Sequence, residues 1–99
     1  MKAYPVSFTF EAIRDLDAIY DYIANDSPHA AEQIINRLEL FCTETLSNHP
    51  FAGKQAIDLK QGIRTFTVSS YRVLYSVPNK SVMIKRIIHG SRDVSRLKI

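Results

Sequence analysis

Apolar residues recur at helical spacing in the first half of the chain and alternate in the second. From Phe10 to Asn25 they fall at Ala12, Ile13, Leu16, Ile19, Tyr20 and Ile23. Steps of three and four place them on one helical stripe, with Glu11, Arg14, Asp15, Asp17 and Asp21 largely on the other side. Thr9 is suited to cap this helix. The helix is expected to end near Asn25-Asp26, and Ser27-Pro28 starts another. The serine caps, and the proline takes the first helical position, where its missing N–H is not needed. The second helix is predicted from Pro28 to about Ser47, with a stripe of Ala31, Ile34, Ile35, Leu38, Phe41, Cys42, Thr45 and Leu46. Asn48-His49-Pro50 stops it. The short link between the helices implies an antiparallel hairpin.

Before the helices, Tyr4–Phe8 reads as a short strand with Tyr4, Val6 and Phe8 on one face. Pro5 confines it to an edge or to the start of a strand. After them, residues 49–61 read as a loop with a short turn at Ala56–Leu59. The period then becomes two. Arg64, Phe66 and Val68 oppose Ile63, Thr65 and Thr67, and Tyr71, Val73, Tyr75 and Val77 oppose Arg72, Leu74 and Ser76. Ser69-Ser70 and Pro78-Asn79-Lys80-Ser81 are turns, so Val82–His89 completes an antiparallel meander. The tail from Arg92 to Ile99 suits a short helix or a segment across the sheet edge. The order β-α-α-β-β-β specifies an α+β fold, with the helix hairpin packed on one face of a small antiparallel sheet and the opposite face free.

Ninety-nine residues support one domain, 1–99, with a core of ordinary composition. Charge changes the picture. Residues 1–49 hold eight acidic and three basic residues, whereas residues 50–99 hold ten basic and two acidic ones. A basic second half suits nucleic acid or an acidic protein partner. The single cysteine, Cys42, excludes an internal disulfide and lies on an apolar stripe, where it reads as a small buried hydrophobe. No apolar run suits a signal peptide or a membrane span, so a cytoplasmic location without membrane contact is expected.

The candidate chemistry lies on the strands. Arg64, Arg72 and Arg86 sit within sheet segments, and Arg92 follows the last strand. A strand guanidinium must reach solvent or a carboxylate, and several on one face would form an anion site or target-binding surface. Tyr71 and Tyr75 could add stacking surface. The competing reading is a set of solvated arginines with one structural pair, of Arg72 or Arg92 with Asp93. His89, ending the last strand before Gly90, is the candidate proton-transfer group. His29, His49 and Cys42 lack metal-ligand spacing, so no metal is expected, and no phosphate loop or dinucleotide fingerprint points to a cofactor.

In their order, the segments "YPVSFTFEAIRDLDAIYDYIA", "SPHAAEQIINRL", "HPFAGK", "GIRTF", "YRVLYSV" and "IIHGSRD" resemble the RelE/ParE superfamily of toxins from bacterial toxin–antitoxin pairs. The resemblance spans nearly the whole chain and implies a helix hairpin on a small antiparallel sheet. It also implies a cognate antitoxin, ParD-like or another small protein, wrapping the toxin with an extended amphipathic segment. One branch of the superfamily comprises ribosome-dependent messenger-RNA endonucleases; the ParE branch is associated with poisoning DNA gyrase and arresting growth. Arg72 and Arg92 match arginines of the nuclease pattern, and some nucleases use a histidine near the position of His89. The two strand lysines of that pattern are replaced here by Ile63, Arg64 and Thr65, and the tail tyrosine is absent. The resemblance therefore implies a ParE-like gyrase inhibitor, with a RelE-like nuclease acting on ribosome-bound messenger RNA as one alternative and a non-toxic antitoxin-binding homologue as another.

Overall fold

The computed structural model describes residues 3–97 and 99; Met1, Lys2 and Lys98, which belong to the opening segment and the basic tail, lie outside the described residues. Strand β1 (Val6–Phe8) leads into α1 (Phe10–Ala24) and α2 (Pro28–Leu40). The second helix continues through a π-helical turn, Phe41–Thr45, into a last turn α3 (Leu46–Asn48). Strands β2 (Lys54–Gln55), β3 (Arg64–Val68), β4 (Tyr71–Ser76) and β5 (Val82–His89) follow. The sheet order is β1-β5-β4-β3-β2, with β1 parallel to β5 and every other pair antiparallel. The predicted α+β architecture is present, with one extra short strand, β2, inside the segment read as loop.

Local chemistry sets the boundaries. The Thr9 side chain accepts the Ala12 N–H and the Ser27 side chain accepts the Ala30 N–H, so both predicted caps form. Asn79 and Lys80 both take positive φ, 48° and 58°, the geometry that matches a two-residue turn to strand twist. The π-helical turn adds a residue to the second helix. At its end Thr45 is exposed and just past it Leu46 is buried, although the helical stripe included both.

The helices cover one sheet face. Ala12, Ile19, Leu38, Cys42 and Leu46 meet Val68, Val73, Tyr75, Val82, Ile84 and Ile87 there. Burial, and to a lesser degree the charge of Glu39, pushes the Cys42 thiol up to about 12. Cys42 is therefore expected to resist a thiol-specific reagent in the folded chain at mildly alkaline pH and to react fully in denaturant. Equal rates in both states would show that the end of the second helix is open.

The other sheet face is not free, contrary to the expectation from the element order. Ala56 and Ile63, at the two ends of the loop before β3, pack with Leu74, Ile88 and Val94 into a second core, joined by Leu59, Leu97 and Ile99. The tail thus lies under the sheet, neither as a helix nor along its edge. β4 and β5 carry buried residues on both faces, Val73 and Ile87 toward the helices and Leu74 and Ile88 toward the second core.

Candidate functional site

The candidate arginines do not form one surface. Arg86 follows a register shift at which Leu74 pairs with Arg86 while Tyr75 pairs with Ile84, leaving Lys85 as the extra residue. Its Nε donates to Asp15 Oδ2 at 2.7 Å and its Nη2 to Oδ1 at 2.9 Å. Asp15 Oδ2 also accepts the Ile87 N–H at 2.9 Å. β1 stops pairing at Ile84, so Asp15 takes the place of a strand on the exposed edge of β5. The hydrogen bonds that Arg86 donates to Asp15 raise its pKa, so the guanidinium stays charged. Arg86 is thus a helix-docking residue, and its expected place on a binding surface is corrected.

Arg64 is also committed internally. Its Nε and Nη2 donate to the Gly53 carbonyl at 2.9 and 2.6 Å, and its guanidinium lies 5.1 Å from the centre of the Phe51 ring. Tyr75 is buried and its Oη accepts the Gly53 N–H at 2.9 Å, so it offers no stacking surface. Arg72 pairs with Asp58, at 3.0 and 3.1 Å, and not with Asp93. The bond from Arg72 is the main reason the Asp58 carboxyl is held below its ordinary range. Asp93 instead accepts from the Ser95 N–H and Oγ, and these bonds lower its pKa.

His89 and Arg92 do come together, on the helix side of the sheet. They line a pocket of 680 Å³ between α1 and the end of the meander, with Tyr22, Tyr71, Ser69 and Ser70 at the polar rim. Ala18, Ile19, Ile23, Ile34 and Ile87 make it apolar below. Tyr71 meets His89 edge-on, with ring centres 5.6 Å apart. Burial first, then the neighbouring Tyr22, raises the Tyr71 pKa, keeping it a neutral donor. The Ser91 N–H donates to His89 Nδ1 at 3.2 Å and the Ser91 hydroxyl lies 2.7 Å from the same nitrogen, so the turn after β5 fixes the ring. Arg92 is exposed and makes no ion pair among the described residues. Tyr22, 81% exposed, is not among the sequence's candidate residues; its one signal there is an aromatic placed off the apolar stripe of α1. Among the described residues, no three His, Cys, Asp or Glu side chains converge as a metal would need, and no helix is long and apolar enough to cross a membrane.

A helix hairpin laid on a sheet of this topology is the architecture of the RelE/ParE toxins. Two solved structures share it. One is the chromosomal ParDE toxin–antitoxin system from P. aeruginosa, with a TM-score of 0.73 and 26% identity over 88% of this chain and 96% of that one. The other is the RelBE2 toxin–antitoxin complex from Mycobacterium tuberculosis, with a TM-score of 0.70 and 28% identity over 88% and 98% of the two chains. The chain belongs to the ParE toxin family of type II toxin–antitoxin systems, parDE, whose family model matches residues 6–94. Two relatives from Caulobacter vibrioides carry different names. Toxin ParE3 is 34% identical over 82 residues, covering 82% of this chain and 81% of its own. Toxin RelE2 is 34% identical over 87 residues, covering 88% and 96%.

Proposed function

We propose that this chain is a ParE-like toxin that inhibits DNA gyrase by protein–protein binding and is neutralised by a cognate antitoxin. The observation that carries this reading is the dispersal of the arginines. Cutting RNA needs phosphate-binding cations and a proton-transfer pair around one reacting atom. Here Arg72 faces Asp58 on one side of the sheet, while His89 and Arg92 line a pocket on the other. What remains at the pocket is a contact surface: an apolar floor, two tyrosines and an exposed arginine, the residue types that dominate binding hot spots. An antitoxin that covered this end of the sheet would block target contact directly, as expected for a small partner that neutralises by occupancy.

The second reading, a ribosome-dependent endonuclease, draws on His89, which stands beside Tyr71 at the pocket that Arg92 also lines. Purified protein assayed against gyrase supercoiling and against messenger RNA on ribosomes separates the two. Loss of supercoiling with RNA intact supports the first; cut RNA with gyrase unaffected replaces it with the second; neither activity points to a non-toxic, antitoxin-binding chain. Arg92→Ala is expected to weaken gyrase inhibition by about tenfold, as for an arginine among the minority of interface residues that carry the binding energy. Undiminished inhibition would remove Arg92 from the contact.

A further inference from the structure

Arg72 lies on β4, the middle strand of the five, on the face away from the helices. Its Nε donates to Thr65 Oγ1 at 3.2 Å, and its two terminal nitrogens donate to the two oxygens of Asp58. The Arg72 side chain is 15% exposed and that of Asp58 is 46% exposed. The guanidinium is therefore fixed by the sheet, whereas the carboxylate approaches it from solvent on a turn. A planar fork holding two oxygens is how arginine binds carboxylate and phosphate alike. The Thr65 hydroxyl, having accepted from Nε, keeps its own proton to donate.

The turn does not depend on this contact. Ala56 and Ile63 anchor its ends in the second core. The Ala56 N–H donates to the Ile63 carbonyl at 2.8 Å, and the Gln55 side-chain amide donates to the same carbonyl at 3.0 Å. Only two acidic residues occur after residue 49, and the other, Asp93, is spent on Ser95. In a half of the chain with ten cations, the one side-chain carboxylate left to pair sits on Arg72.

We propose that Asp58 is a tethered competitor: it occupies an oxyanion site formed by Arg72 and Thr65 and closes that site to external oxyanions in the resting chain. The site is on the opposite face from the pocket assigned to target contact. Its failure would leave the gyrase reading standing, and failure of the gyrase reading would leave it standing.

The test is a titration of the full chain with inorganic phosphate at constant pH and ionic strength, followed by NMR at the Arg72 Nε–H and the Thr65 and Leu74 amides. Asp58→Ala is expected to bind phosphate about fivefold more tightly than the unsubstituted chain, the gain that follows from removing an exposed internal ion pair. Asp58→Ala combined with Arg72→Gln is expected to lose saturable binding. Asp58→Asn, neutral and of the same shape, should tighten binding in the same direction and serves if the alanine variant loses its fold. Equal affinity with and without the Asp58 carboxylate would overturn the proposal, as would phosphate binding that survives loss of Arg72.

Discussion

Asp15→Ala is expected to destabilise the chain by about 3 kcal/mol, because it leaves the shielded Arg86 guanidinium without its partner and the Ile87 N–H without an acceptor. Both side chains of the pair are largely shielded, at 17% and 13% exposure, so water replaces the lost contacts poorly. Against a total stability of about 5–15 kcal/mol for a domain of this size, the loss is severe. The melting temperature should fall by about 15 °C, and urea denaturation should show a lower midpoint at unchanged slope. Replacing both partners, Asp15→Leu with Arg86→Met, should restore part of the loss, since no charge is then stranded. The remaining deficit would belong to Ile87. A single variant as stable as the parent chain would show that α1 does not dock on β5 through this carboxylate.

Gly53→Ala should destabilise by about 2 kcal/mol, the usual penalty for forcing an extra carbon into a packed site. A Cβ built there would lie 2.6 Å from the Thr65 carbonyl oxygen and 2.7 Å from Tyr75 Oη. The first of these is backbone and cannot swing aside, so β2 would have to leave β3. That movement breaks the bond from Gly53 N–H to Tyr75 and the clamp of Arg64 on the Gly53 carbonyl. Tyr75→Phe removes the first of those bonds alone and should cost about 1–2 kcal/mol by stranding a buried N–H. Since the two changes share one hydrogen bond, the double variant should lose less than the sum. Strict additivity would mean that the glycine does not serve this contact. Hydrogen exchange at Lys54 and Thr65 would locate the opening, with the β4–β5 ladder expected to stay protected.

The resemblance to a toxin superfamily was already carried by the order of short sequence segments, and the family match over residues 6–94 agrees with it. The site was less legible. Arg64, Arg72 and Arg86 looked equivalent because each is an arginine within a strand, yet each meets a different partner across the chain: a loop carbonyl, a loop carboxylate and a helix carboxylate. One of these partners did leave a trace. Asp15, grouped with the polar side of α1, lies three residues after Ala12 and four before Ile19, both buried, and so borders the apolar stripe, where an unpaired charge is not tolerated. Asp58 left none, because a loop residue has no periodicity to violate.

By itself, the sequence determined what depends on neighbours in the chain. Helix caps, the hairpin turns, the period of each strand and the division into an acidic helix half and a basic sheet half all follow from spacings of a few residues. The tertiary structure alone decided which charges are available. It covered the sheet face that the element order left open, using a turn and a tail whose few apolar residues, Ala56, Leu59, Val94, Leu97 and Ile99, are too sparse to read as a core. It withdrew three arginines into contacts between residues 11 to 71 positions apart, and left His89 and Arg92 beside Tyr22 and Tyr71. Burial of charge depends on what folds back over it, and that is set by long-range packing rather than by any local pattern.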